Sequence, residues 1–191
     1  ITRIQGGKIG LIQVHSGTRL FVVSKALHRH SKLVFTSGVT FFDFLRRRSA
    51  VVEHPEQFVT LSEGRLHFKY AGPDDGPPVV LVHGFSYASW SYNFVGPLLV
   101  EAGYRVFALD LYGRGFSDRP KVRHDRGLYN RLLSEFMDAV ELDEPVTFVG
   151  NSMGGGVVTD FAAHHPGQVR ALLLLVPAGL RLSAPMSLGW P

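Results

Sequence analysis

Gly150-Asn151-Ser152-Met153-Gly154 sets a single alcohol between two glycines. The apolar run at residues 146–149 precedes it, and a helical pattern over residues 153–164 follows. A Gly-x-Ser-x-Gly alone is common by chance. Between a buried strand and a helix start it marks a sharp turn that lifts the serine side chain clear of the backbone. Such a turn asks the serine for a strained, positive φ that residues with a Cβ seldom adopt. Gly150 and Gly154 make it feasible, because no Cβ at either position crowds the strand or the helix. The chemistry on offer is nucleophilic, with Ser152 attacking a carbonyl to form an acyl-enzyme. The bland alternative makes Ser152 a helix N-cap and the glycines packing devices.

Two further motifs bear on the same chemistry. Val82-His83-Gly84-Phe85 stands directly after the apolar run at residues 79–82. Acyl transfer builds negative charge on the former carbonyl oxygen, and fixed backbone N–H donors lower that barrier by roughly 3 kcal/mol each. Asp110-Leu111-Tyr112-Gly113-Arg114-Gly115-Phe116-Ser117-Asp118 follows the apolar run at residues 106–109. Asp110 reads best as a turn-forming carboxylate accepting backbone N–H groups where a strand ends.

The elements that must position these residues alternate. Residues 58–72 read as two strands joined by a tight turn at Glu63-Gly64, and residues 73–78 as a loop. Strands are expected at residues 79–82, 106–109, 146–149 and 171–176. The run at 79–82 has the continuous apolar character of a strand buried on both faces. Helices are expected at 91–102, closed by Gly103, at 131–141 and at 153–164. Strands alternating with helices predict an α/β fold with a mostly parallel sheet covered on both faces.

From about residue 58 onward, these motifs and their order resemble the α/β-hydrolase superfamily, in its branch with His-Gly after the third strand. The resemblance implies Ser152 as nucleophile, with the N–H groups of Phe85 and Met153 as the two oxyanion donors. Met153 also starts a helix, whose dipole adds positive potential beside the oxyanion. The resemblance further implies a structural, non-catalytic His83. In the family's chain order the triad acid and histidine follow the nucleophile. Here only Asp160, His164 and His165 do. Asp160 is about 12 Å along a helix from Ser152, beyond hydrogen-bond reach, and both histidines are expected to serve the helix's last carbonyls. By resemblance the cap region would begin after Val176-Pro177-Ala178-Gly179-Leu180, so the chain is expected to be truncated before the cap and last strands. Its triad acid and histidine would lie beyond residue 191.

Serine at this turn separates the chain from relatives that use aspartate there, such as haloalkane dehalogenases and epoxide hydrolases. Carboxylic ester hydrolysis is the leading expectation, including monoacylglycerol-type lipids or thioesters. Carbon–carbon bond hydrolysis of diketone-like substrates and a non-catalytic binding protein on the same scaffold stay open. Phe85, Tyr87, Trp90 and Tyr92 are expected around the site entrance, where Tyr87 and Trp90 would bind an apolar acyl group. Neither a phosphate-gripping nor a dinucleotide glycine motif occurs, so no cofactor or metal is expected.

The net charge of +4 divides unevenly. Residues 1–50 hold nine Lys/Arg against one acid, Asp43, while residues 51–191 hold eleven against fifteen acids. The basic pI therefore belongs to a segment at residues 1–55, expected to be an unstructured or targeting extension, with residues 56–191 the hydrolase portion. No basic patch interleaved with aromatics occurs in the latter, so nucleic acid is not an expected partner. The apolar stretch at residues 33–45 contains Asp43 and is too short to span a bilayer. A basic, acid-poor leader without cysteines elsewhere fits a cytoplasmic or organellar setting better than a secreted one.

Overall fold

The computed structural model describes residues 9–13, 19–23 and 56–179. Among them eight strands form one sheet: β1 (Ile9–Gln13), β2 (Arg19–Val23), β3 (Glu56–Leu61), β4 (Gly64–Ala71), β5 (Pro78–Val82), β6 (Arg105–Leu109), β7 (Val146–Asn151) and β8 (Val169–Leu175). Their order across the sheet is β1-β2-β8-β7-β5-β6-β4-β3. The central strands β2, β8, β7, β5 and β6 run parallel. β1, β4 and β3 are antiparallel to their neighbours. Three helices connect the parallel strands: α1 (Gly96–Glu101), α2 (Arg126–Ala139) and α3 (Met153–His164).

Every residue of β5 is buried, and the reason is visible in where alternate side chains go. Val80 and Val82 join a core cluster with Leu132, Leu133 and Phe136 of α2 and Val158 and Phe161 of α3. Val79 and Leu81 face the other way, into a smaller cluster against Leu99 and Val100 of α1. With both faces covered, the strand has no polar alternation to show. Each large side chain so buried contributes about 1.5–3 kcal/mol.

Two helices differ from the sequence expectation. The helix expected at 91–102 is a 3-10 turn at Ser89–Tyr92 followed by the six-residue α1. Pro97 lies in the first turn of α1, where its missing N–H costs nothing. Beyond α1, Gly103 at φ 86° lets Tyr104 N–H return to the Leu99 carbonyl at 3.0 Å, closing the helix as expected. α2 starts at Arg126, ahead of the apolar pattern, because Asp125 caps it by accepting the Leu128 N–H at 3.1 Å. Such a cap is worth about 1 kcal/mol.

β1 and β2 come from the basic N-terminal segment, and β2 pairs with β8 from Arg19 opposite Ala171 to Val23 opposite Leu175. The rest of residues 1–55, including the apolar stretch at 33–45 and Arg46-Arg47-Arg48, lies outside the described residues. No helix among the described residues is long and apolar enough to cross a membrane. Because β7, β5 and β6 are parallel neighbours, their carboxyl ends bring Ser152, His83 and Asp110 to one edge of the sheet. In open α/β sheets that edge is where ligands bind.

Candidate active site

Ser152 joins β7 to α3 with φ 49° and ψ −114°. For a residue with a Cβ this conformation costs on the order of 1–3 kcal/mol, and the surrounding structure must hold it. The end of β8 does so from both sides. The Ser152 N–H donates to the Leu175 carbonyl at 3.0 Å. Its carbonyl accepts from the N–H groups of Ala178, Gly155 and Gly156 at 2.8, 3.0 and 3.3 Å. Leu175 and Ala178 carry no side-chain signal, so the sequence did not reveal this grip.

The Ser152 side chain is partly exposed and makes no capping bond to α3. Among the described residues its Oγ has no hydrogen-bond partner. Serine stands at the N-cap position without acting as a cap, so the capping half of the bland reading does not hold, while the glycines do serve close packing. A Cβ on Gly154 would run into the Val82 and His83 carbonyls, so only glycine lets α3 begin this close to β5. A Cβ on Gly84 would lie 3.2 Å from the Ser152 Cβ and 3.4 Å from the Tyr87 ring. The His-Gly motif and the serine turn therefore meet.

His83 is fully buried. Its Nδ1 donates to the Gly84 carbonyl at 2.7 Å, and its Nε2 accepts the Leu111 N–H at 3.0 Å. A backbone N–H can only donate, so Nε2 is unprotonated and the ring is neutral. Burial, aided by the nearby Arg114 charge, pushes the His83 pKa below its ordinary 6.5. Neither nitrogen is left to take a proton from Ser152. The Gly84 carbonyl and the Phe85 N–H share one planar peptide, so holding the carbonyl also aims the N–H. Neither Phe85 N–H nor Met153 N–H has a hydrogen-bond partner among the described residues.

Asp110 is buried and fully partnered. Its carboxylate accepts the Ser89 N–H at 2.5 Å, the Phe116 N–H at 2.9 Å and His67 Nδ1 at 2.7 Å. Burial alone would raise its pKa. The Ser89 and Phe116 N–H groups, the Ser89 hydroxyl and the His67 ring outweigh burial and hold it below its ordinary 3.8. Ser117 ties the same loop down, accepting the His67 N–H at 2.8 Å and donating to the Asp110 carbonyl at 2.6 Å. The His67 ring lies between Phe58 and Phe116, and its Nε2 is buried without a partner among the described residues. Asp118 accepts the Arg65 N–H at 2.8 Å. Both aspartates are thus spent on backbone, as expected for Asp110.

After Ser152, Asp160 accepts from Asn130 Nδ2 at 2.6 Å and pairs with Arg126 at 3.7 Å. His164 donates to the Asp160 carbonyl at 2.8 Å, the expected last-turn role. His165 instead stacks on Phe161 with ring centroids 4.5 Å apart. Tyr87 and Trp90 are exposed beside the turn with ring centroids 5.6 Å apart, and Phe85 is 65% exposed. Tyr92 departs from the expected entrance. It is buried in the core beneath, its hydroxyl donating to the Val82 carbonyl at 2.9 Å. A cleft of about 530 Å³ opens between α2 and α3 next to Met153, Gly156 and Val157. No three His, Asp or Glu side chains gather as metal ligands among the described residues.

The family described as the alpha/beta hydrolase fold matches residues 77–190. The chain is 38% identical over 133 residues to 2-hydroxy-6-oxo-6-phenylhexa-2,4-dienoate hydrolase of Comamonas testosteroni, covering 66% of this chain and 45% of that protein. Naproxen esterase (carboxylesterase NP) of Bacillus subtilis aligns with a TM-score of 0.62 at 26% identity, over 68% of this chain and 45% of that one. A membrane phospholipase A, a bacterial virulence factor, aligns with a TM-score of 0.64 at 31% identity, over 69% of this chain and 42% of that one. The chain spans less than half the length of these relatives. Parallel strand order, a serine at positive φ between strand and helix, and the matched span agree, and the chain belongs to the alpha/beta hydrolase fold family.

Proposed function

We propose that this protein is a serine hydrolase that cleaves carboxylic esters of small molecules through an acyl-enzyme on Ser152. The observation that carries the reading is a strained, partly exposed Ser152 whose Oγ has no partner among the described residues. Backbone strain persists where function needs it. Ser152 Oγ bonds to the carbonyl carbon while its proton passes to a histidine that, in the family's order, follows it in the chain. Negative charge moves to the carbonyl oxygen, facing the N–H groups of Phe85 and Met153. Collapse expels the alcohol, which takes up the proton, and water then cleaves the acyl–Ser152 ester. The exposed rings of Phe85, Tyr87 and Trp90 suit an apolar acyl group, and the cleft beside Met153 is of small-molecule size.

A second reading, carbon–carbon bond hydrolysis, is favoured by the dienoate hydrolase at 38% identity. In this reading Ser152 attacks a ketone carbonyl, and on collapse the departing carbon, rather than an alkoxide oxygen, takes up the proton before water cleaves the acyl–Ser152 ester. Assaying the protein at full natural length on p-nitrophenyl esters and on a vinylogous diketone acid separates the two. The ester reading expects turnover of short and medium acyl esters, falling at least ~10⁴-fold in Ser152→Ala. Turnover of the diketone alone would replace it with the second reading. Undiminished ester turnover in Ser152→Ala would remove both.

A further inference from the structure

We propose that Arg114 is a positioning residue of the Ser152 site, fixing the backbone of Phe85 and with it the N–H offered to the oxyanion. The inference rests on the serine-hydrolase reading above. Arg114 sits in the loop after β6, yet its side chain is committed to the loop after β5. Its Nε donates to the Phe85 carbonyl at 2.6 Å, and its Nη1 donates to the Gly113 carbonyl at 3.1 Å. The guanidinium also covers the Phe85 ring, 4.4 Å from its centroid. One planar group thus grips Phe85 by backbone and by ring.

That grip has no other evident purpose. Arg114 forms no ion pair with a carboxylate among the described residues, so these contacts are not by-products of one. Phe85 needs the support, because it is exposed and lies outside any strand or helix. His83 holds the peptide preceding Phe85 through the Gly84 carbonyl, and Arg114 holds the peptide following it. The Phe85 N–H belongs to the first of these peptides, and fixing the second restrains φ and ψ at Phe85, so the first cannot swing and the N–H keeps one direction. Lysine cannot substitute, since a point donor cannot donate sideways while stacking flat on a ring.

The test uses the protein at full natural length. Arg114→Lys and Arg114→Ala are compared with wild type in kcat, KM and affinity for a trifluoromethyl ketone that forms a tetrahedral adduct. Misaiming one donor is expected to lower kcat and adduct affinity together, by about tenfold, with KM within about twofold. Millimolar methylguanidinium is expected to restore part of the kcat of Arg114→Ala. Wild-type kcat in Arg114→Lys would overturn the clamp in favour of charge alone, and a loss confined to KM would make Arg114 a substrate contact instead. If Arg114→Ala fails to fold, thermal unfolding shows it and Arg114→Lys decides. Failure of a fluorophosphonate to label wild-type Ser152 would remove the underlying reading, whereas intact labelling with unchanged kcat in the variants sinks Arg114 alone.

Discussion

Two strand ends on one sheet edge, on either side of β5, hold polar side chains in opposite states. At the end of β6, Asp110 is 1% exposed, and backbone N–H groups and His67 satisfy its carboxylate. At the end of β7, Ser152 has a strained backbone, partial exposure and an Oγ without a partner among the described residues. A saturated buried group organises structure, because its interactions are already complete. An unsaturated group on a strained, well-gripped backbone keeps its reactivity for something outside the protein. The same motif-rich sequence contains both, and partner geometry shows how far each is committed.

The contrast breaks first at Asp110. Asp110→Ala leaves the buried Ser89 N–H, the part-buried Phe116 N–H and the His67 ring without an acceptor, and should cost roughly 3–5 kcal/mol in urea unfolding. A loss below ~1 kcal/mol would mean that the network is not structural. Its pH signature has a definite sign. The depressed carboxylate adds stability that is complete above pH 3.8 and is lost as pH falls toward its folded value. Buried neutral His83 adds a decline that begins as pH falls below 6.5, where only the unfolded chain takes up the proton. Asp110→Asn should flatten the lower leg and leave the upper one.

A smaller effect of opposite direction is expected at Ser152. Ser152→Gly relieves the positive φ and should raise stability by ~1 kcal/mol, the strain less the extra chain entropy of glycine. Destabilisation instead would show that Ser152 contributes to the fold and would erase the contrast with Asp110.

Much of this was legible beforehand because local chemistry specified it. Val79 to Val82 announce a doubly covered strand by lacking alternation, and Gly154 and Gly84 announce close approach by lacking a Cβ. Asp110 declared its turn role by its place at a strand end. What stayed hidden depended on distant partners. The His67 pairing with Asp110 joins elements far apart in the chain. Tyr92 has the spacing of an entrance aromatic, yet its hydroxyl donates to the Val82 carbonyl in the core. Arg114 reads as one more loop cation, and its hold on Phe85 depends on how two loops converge. The helix expected at 91–102 failed because its apolar spacing spans Asn93 and Pro97, where a turn and a fresh helix start compete better.

The most direct test is to treat the folded protein at full natural length with a fluorophosphonate and map the adduct by peptide mass spectrometry. A reactive alcohol at the β7–α3 turn predicts a single phosphonylated site, Ser152, lost in Ser152→Ala. No adduct on the folded protein, or one on another serine, would contradict it.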